Sequence, residues 1–130
     1  MIHCKIVTPL GQYKECDTTI LNVKNQLGEM GILPNHVPLV TMLEISKMST
    51  IEDGVKNEYA IGGGLLYFQD NEAMILVDSI ESKDEIEAER ALAAKLRAEE
   101  RLNQADNSMD ARRAELALKR AMNRLKVKGE

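Results

Sequence analysis

The sequence predicts an α+β chain, a β-rich front half followed by an antiparallel helical hairpin, and three observations carry that prediction. All three prolines, all four aromatics and seven of the eight glycines lie before residue 70. Ten of the twelve alanines lie after Glu87. The change of character falls near Ser82, so residues 1–81 and 82–130 read as two domains. Turn formers between β-branched runs mark short strands and tight corners, whereas Ala, Arg and Glu favour long helices.

Ile2–Thr8 is apolar and β-rich and stops at Pro9-Leu10-Gly11. Thr18–Lys24 reads as a second strand, and Leu27–Gly31 as a turn. Leu39–Ile45 and Lys47–Glu52 read as two further strands. Glu52-Asp53-Gly54 then signals a hairpin into Val55–Ile61, because Asp-Gly supplies positive φ. Leu65–Gln69 and Ala73–Val77 flank the turn Asp70-Asn71-Glu72. Strands this short, recurring every 8–12 residues or so, fit a sandwich or a barrel.

Ser82 and Glu85 have the spacing of a capping box, which predicts a first helix from Lys83 to Gln104. Asp106-Asn107-Ser108 breaks it, and Ser108 or Asp110 can cap a second helix from Asp110 to Leu125. So short a connector makes the pair antiparallel. The apolar stripes are Ala91, Leu92, Leu96, Ala98, Leu102 and Ala105 against Ala114, Ala117, Leu118, Ala121 and Leu125. At about 25 cal/mol per Å² a buried alanine contributes roughly a third of a leucine. Such faces predict a hairpin held loosely enough to open.

The composition also excludes functions. Net charge is −4, but residues 111–130 hold 7 basic and 2 acidic side chains, a local +5. The acidic remainder would repel nucleic acid, so a basic last helix on an acidic body points to an acidic protein surface or a small polyanion. No apolar run is long enough to span a bilayer, and none resembles a signal peptide. Cys4 and Cys16 are too few for a disulfide scaffold, lack metal-ligand spacing and read as two ordinary thiols. Gly62-Gly63-Gly64 lacks the phosphate-loop pattern and leads into a strand, so it reads as a place where strands bend. His3 and His36 are the only histidines, and His36 stands between two prolines as a structural loop residue. No nucleophile–base set or paired carboxylate is evident, so the chain is expected to be non-catalytic, with no required cofactor and no metal.

The arginines form a pattern. Arg90 and Arg97, seven apart, share a face of the first helix. Arg120 and Arg124, four apart, share a face of the second. Folding the hairpin about Asn107 sets Arg90 opposite residue 124 and Arg97 opposite residue 117. Four guanidinium groups then gather on one edge, where unpaired they repel each other; a polyphosphate would neutralise them, and Glu81, Glu87 and Glu89 could partly do so from within.

Gly28-Glu29-Met30-Gly31-Ile32-Leu33-Pro34-Asn35-His36-Val37-Pro38 resembles the signature of the epsilon subunit of bacterial F-type ATP synthases. Val7-Thr8-Pro9, the glycine triplet and the run from Arg112 to Leu125 are similar to that family too, so the resemblance spans the chain. It implies an N-terminal antiparallel β-sandwich followed by a C-terminal helical hairpin. It also implies a rotor subunit on the central stalk, at the cytoplasmic face of the cell membrane and peripheral to it. Its partners would be the gamma subunit, the ring of c subunits and the catalytic beta subunits, with Glu29 and His36 in the loop that faces the ring. The subunit couples proton-driven rotation to catalysis, and its hairpin, when extended, inhibits ATP hydrolysis.

In some members the folded hairpin binds ATP as a regulatory ligand, through an Ile-Asp-x-x-Arg-Ala motif and flanking residues. Carried over, these are Ile86, Glu87, Arg90 and Ala91, with Glu81, Arg97, Arg120 and Arg124. One position departs, because the motif Asp is Glu87. Its extra methylene predicts a hydrogen bond weakened by about 1–3 kcal/mol, roughly 5–150-fold in affinity. Two rivals compete with the motor reading. One is a nucleotide-sensing adaptor outside any motor. The other is a membrane-surface protein, which the lack of Trp and Phe on the basic helix disfavours.

Overall fold

In the computed structural model, which describes residues 1–129, the first strand sets the pattern of the whole front half. β1 (Ile2–Thr8) buries Ile2, Cys4 and Ile6 at every second position, as a strand with one face on a core must. β2 (Gly11–Thr18) returns antiparallel beside it. Its sequence is polar at most positions because it is an edge strand, and the sequence reading therefore passed over it.

β3 (Leu21–Asn25) and β4 (Gly28–Ile32) form the next hairpin. The expected turn at Leu27–Gly31 is corrected here: Gly28 and Gly31 lie in the ladder, opposite Asn25 and Asn22, and the turn is over by Leu27. The strand expected over Thr18–Lys24 is likewise divided, Thr18 ending β2 and Leu21 beginning β3.

β5 (Leu39–Glu52) and β6 (Val55–Gln69) are continuous strands of 14 and 15 residues, where the sequence predicts two short strands each. Their turn has positive φ at both Asp53 and Gly54, as the Asp-Gly signal requires. β7 (Glu72–Val77) follows a second such turn at Asp70 and Asn71, and β8 (Ile80–Ser82) closes the unit.

Leu39–Leu43 of β5 pair with Gly64–Phe68 of β6, and that part of β6 pairs with β7. Ile45–Glu52 pair with Val55–Gly62, and that part of β6 pairs with β8. One layer is therefore β2-β1-β7-β6-β5 and the other β4-β3-β5-β6-β8, with β5 and β6 running through both. Every pairing is antiparallel except β1 with β7, which is parallel. Ile2, Ile6, Leu66, Phe68 and Ile75 from one layer meet Leu21, Val23, Ile32, Met48 and Ile61 from the other.

Cys4 stands directly opposite Cys16 in the β1–β2 register, and both thiols are free. Outside this pair, His3 Nε2 lies 2.7 Å from Glu15 Oε2 and His3 Nδ1 lies 3.0 Å from Asp17 Oδ1.

Met1–Ser82 form one compact unit and the chain from Lys83 onward another. In the second, α1 (Ala88–Asn103) and α2 (Ser108–Lys128) make the hairpin. α1 begins five residues later than the capping-box spacing predicts. Ser82 is held in β8 opposite Tyr59, residues 83–85 turn, and Glu87 occupies the cap position. α2 is capped by Asn107, whose side chain accepts from Asp110 N at 2.9 Å, rather than by Ser108 or Asp110.

Two predictions follow from the sandwich. A Cβ at position 64 would sit on the carbonyl oxygen of Leu76, with Val77 Cα 2.8 Å away. Backbone atoms cannot step aside, so Gly64→Ala is expected to lower the unfolding free energy by roughly 3 kcal/mol or more, read by urea denaturation. The hydrogen bonds to Asp17, then to Glu15, raise the His3 pKa above its ordinary 6.5. The stability this adds is complete below that ordinary value and disappears as pH rises through the raised one. Wild type should lose stability relative to His3→Gln on going from mildly acidic to mildly alkaline buffer, measured by urea midpoints at each pH.

Candidate functional site

The hairpin is built on alanine. Ala91 and Ala98 of α1 and Ala114 and Ala121 of α2 are buried, each pair seven residues apart and so on one face. Leu92 and Leu96, expected in the interface, are instead exposed, because alanine contacts bring the helices close and turn the leucines outward. Lys128 Nζ donates to Lys83 O at 3.0 Å, which agrees with a register placing Ala91 level with Ala121 and Ala98 level with Ala114. The pivot is then near Ala105 and Asp106, a residue or two earlier than Asn107.

This frame decides where the arginines go. Arg90 and Arg97 each precede a buried alanine of α1, and Arg120 precedes Ala121 of α2. In an antiparallel pair of right-handed helices, residues just N-terminal to the interface positions fall on the same edge of both. Arg124, three residues after Ala121, lies on that edge as well. At 1.5 Å per residue, Arg90 falls about 3 Å along the axis from both Arg120 and Arg124, and Arg97 lies about 7 Å beyond Arg120. The order along the edge is Arg124, Arg90, Arg120, Arg97. Arg90 and Arg97 are exposed, and Arg120 and Arg124 are half-buried.

Ile86, Glu87 and Ala91 acquire a local meaning. With Glu87 at the cap, Ile86 and Ala91 occupy the two positions of a hydrophobic staple, and both are buried. Glu87 itself is exposed and makes no side-chain cap hydrogen bond. Aspartate at this position is a strong cap, whereas glutamate is too long to fold back on the first turn. Glu81 lies on β8 opposite Ala60, in the sandwich unit. A hollow of about 320 Å³ at the hairpin turn is lined by Arg101, Asp110 and Arg113 and by none of the four edge arginines.

Glu29 is exposed on β4 opposite Lys24. His36 lies in the loop before β5, half-buried, its ring edge-on to Phe68 at 5.9 Å between centroids and its Nδ1 2.7 Å from Val37 O. Asn35 adopts φ 69° and exchanges hydrogen bonds with Asn71 across the β6–β7 turn. Asparagine tolerates this left-handed backbone better than most residues that carry a Cβ.

One surface escaped the sequence reading. Val40 and Met42 of β5, Tyr67 of β6, and Met74 and Leu76 of β7 are all exposed on the outer face of one layer. The register makes Val40, Tyr67 and Met74 one row, and Met42, Leu65 and Leu76 the next. A water-facing sheet would alternate apolar with polar. The unbroken apolar runs of β6 and β7 were the available signal of this exposed apolar face, a kind of surface that marks interaction sites. A groove of about 790 Å³ runs along its border past His3, Lys5 and Glu15. Among the described residues no group of three or more His, Cys, Asp or Glu is arranged to hold a metal, and no helix is long and apolar enough to cross a membrane.

The chain is thus a β-sandwich unit followed by an alanine-packed helical hairpin with an arginine edge. Family models agree part by part: the delta/epsilon chain β-sandwich domain of ATP synthase matches residues 1–83, and its long α-helix domain matches residues 84–129. The chain belongs to the ATP synthase delta/epsilon family. It is 43% identical over 128 residues to the ATP synthase epsilon chain of Bacillus velezensis, covering 98% of this chain and 97% of that one. It is 44% identical over 126 residues to the epsilon chain of Bacillus licheniformis, covering 97% and 96%. Its fold is similar to a chain in the Euglena gracilis mitochondrial ATP synthase, solved as OSCP/F1/c-ring in rotational state 1, with TM-score 0.81, 22% identity, and 94% of this chain and 78% of that one covered. It is also similar to a chain in the central stalk/c-ring of the Tetrahymena thermophila mitochondrial ATP synthase, with TM-score 0.70, 14% identity, and 98% and 96% covered.

The cap position yields a prediction. Glu87→Asp should restore a side-chain cap and stabilise α1 by about 0.5–1 kcal/mol, seen as a higher melting midpoint in far-UV circular dichroism.

Proposed function

We propose that this chain is a non-catalytic, central-stalk subunit of a rotary ATP synthase that couples rotation to catalysis and restrains ATP hydrolysis through its hairpin. The whole-length likeness to bacterial epsilon chains carries the reading, because both domains match in order. The apolar outer face of the sandwich suits a lasting contact with the gamma subunit. Glu29 and the His36 loop are assigned to the ring of c subunits, and the membrane is met only through the complex. The rival adaptor reading is disfavoured by that likeness. Co-purification discriminates, since a motor subunit forms a stable complex with gamma and a free adaptor does not.

In the closed state the hairpin binds ATP along the edge formed by Arg90, Arg97, Arg120 and Arg124, with Ile86, Glu87 and Ala91 shaping the start of α1. The triphosphate supplies negative charge along a run of guanidinium groups. ATP favours closure only by its preference for the closed form. When ATP falls, the basic α2 is released toward an acidic surface of the catalytic beta subunits and blocks the hydrolytic direction.

Removing residues 82–130 from the assembled enzyme should raise its ATP hydrolysis; an unchanged rate would refute the inhibitory role. Calorimetric titration of ATP into the intact chain should show binding that Arg90→Ala or Arg124→Ala weakens by about 10–100-fold, the loss of one charge-assisted hydrogen bond. Absence of heat up to millimolar ATP would remove nucleotide sensing while leaving the subunit role in place.

A further inference from the structure

Cys4 on β1 and Cys16 on β2 face each other in an antiparallel register. Directly opposed residues have Cα atoms about 4.5–5.5 Å apart, inside the span of roughly 4.4–6.8 Å that a disulfide bridges. Both side chains turn to the inner face: Cys4 is fully buried, and Cys16 is half-buried and packed against the core. The two thiols hydrogen-bond to each other. We propose that Cys4 and Cys16 form a thiol–disulfide pair, a modification site at which a low-molecular-weight disulfide oxidises the β1–β2 hairpin.

The two sulfurs have different roles. Cys16 is within reach of solvent and attacks first. The hydrogen bond from Cys4 lowers its pKa and Lys14 assists, against its burial and the carboxylates of Glu52, to which it is also hydrogen-bonded, and Asp17. Cys4, pushed up by the shared proton and by burial, stays protonated and resolves. The Cys16 thiolate attacks one sulfur of the small disulfide, whose S–S bond breaks and releases one thiolate. That thiolate takes the Cys4 proton, and Cys4 sulfur then attacks Cys16 sulfur and displaces the second thiolate. Two protein thiols are oxidised to one disulfide while one small disulfide is reduced to two thiols. The product staples the edge strand β2 to β1 beside Lys14, whose Nζ holds Glu52 at 3.0 Å and the Tyr59 hydroxyl at 2.8 Å.

The test equilibrates the intact chain with glutathione and glutathione disulfide over a range of ratios, then traps free thiols and maps peptides by mass. We expect both thiols to disappear together, a Cys4–Cys16 linked peptide with no glutathione adduct, a higher melting midpoint, and reversal by a dithiol reductant. Cys4→Ser should stop at one glutathione adduct on Cys16, and Cys16→Ser should leave Cys4 reduced at every ratio. If burial makes Cys4→Ser unfold, the half-exposed Cys16→Ser still decides the order of attack. A lasting glutathione adduct on the wild type, disulfide-linked dimers, or two free thiols at the most oxidising ratio would overturn the proposal.

Discussion

The sandwich rests on one constraint, the handing over of β6 from one neighbour to another at Gly62-Gly63-Gly64. Gly63 O accepts from Asp78 N at 3.0 Å and Gly62 N donates to Ser79 O at 2.9 Å, so the segment joining β7 to β8 is bonded to the triplet itself. A side chain at Gly62 would collide with Ser79, and one at Gly64 would collide with the backbone of Leu76. Gly63 has φ 92°, a conformation that residues with a Cβ rarely adopt. Three residues without Cβ let a single strand leave β7, bend and meet β8, and β5 follows it through both layers. The layers are joined by continuous backbone rather than by side chains alone, so a core with a single Phe and no Trp suffices to hold them.

The sequence made the class of the fold readable, but it placed the boundaries of elements less well. Composition separated sandwich from hairpin because glycine and proline punctuate strands while alanine extends helices. The Asp53-Gly54 turn was legible because so few residues tolerate that backbone. β2 was not, because an edge strand needs little apolar surface, and β4 was hidden behind two glycines that usually mean turns. The continuity of β5 and β6 is set by pairing partners far away in the chain, which no local window contains. On the helices, spacing alone told which arginines share a face of each helix, whereas their level along the axis depends on where the alanines meet. The cysteine pair was invisible for the same reason as β2: without that strand, Cys16 has no partner.

The motif at the start of α1 shows how one stretch of sequence can carry two requirements. Ile86 and Ala91 are buried at the two positions that flank the helix start, and Glu87 stands where a cap belongs. A residue type at position 87 therefore alters the stability of the first turn whether or not a ligand touches it. Arg90 lies in that same turn, so its position depends on how firmly the turn is held. Loosening the cap and weakening a ligand contact would both reduce anion binding, and only the effect on the unliganded hairpin separates them.

On the proposed reading the arginine edge would suit switching, because its charges are costly only in some surroundings. Two unit charges 4 Å apart repel by about 1 kcal/mol in water but by about 4 kcal/mol at the effective dielectric of a partly buried site. Arg90 and Arg97 are exposed, so without a ligand their repulsion is screened and the alanine interface can hold the helices together. A polyphosphate laid along the edge would exclude that water, and each charge-assisted hydrogen bond would gain from the lower dielectric. Arg120 and Arg124, already half-buried, have less hydration to lose on contact. An interface of leucines would stay closed whatever bound beside it. An interface whose buried positions are alanine apart from Val127 would stabilise closure little, so on the proposed reading a few kcal/mol of anion binding is a large share of the total.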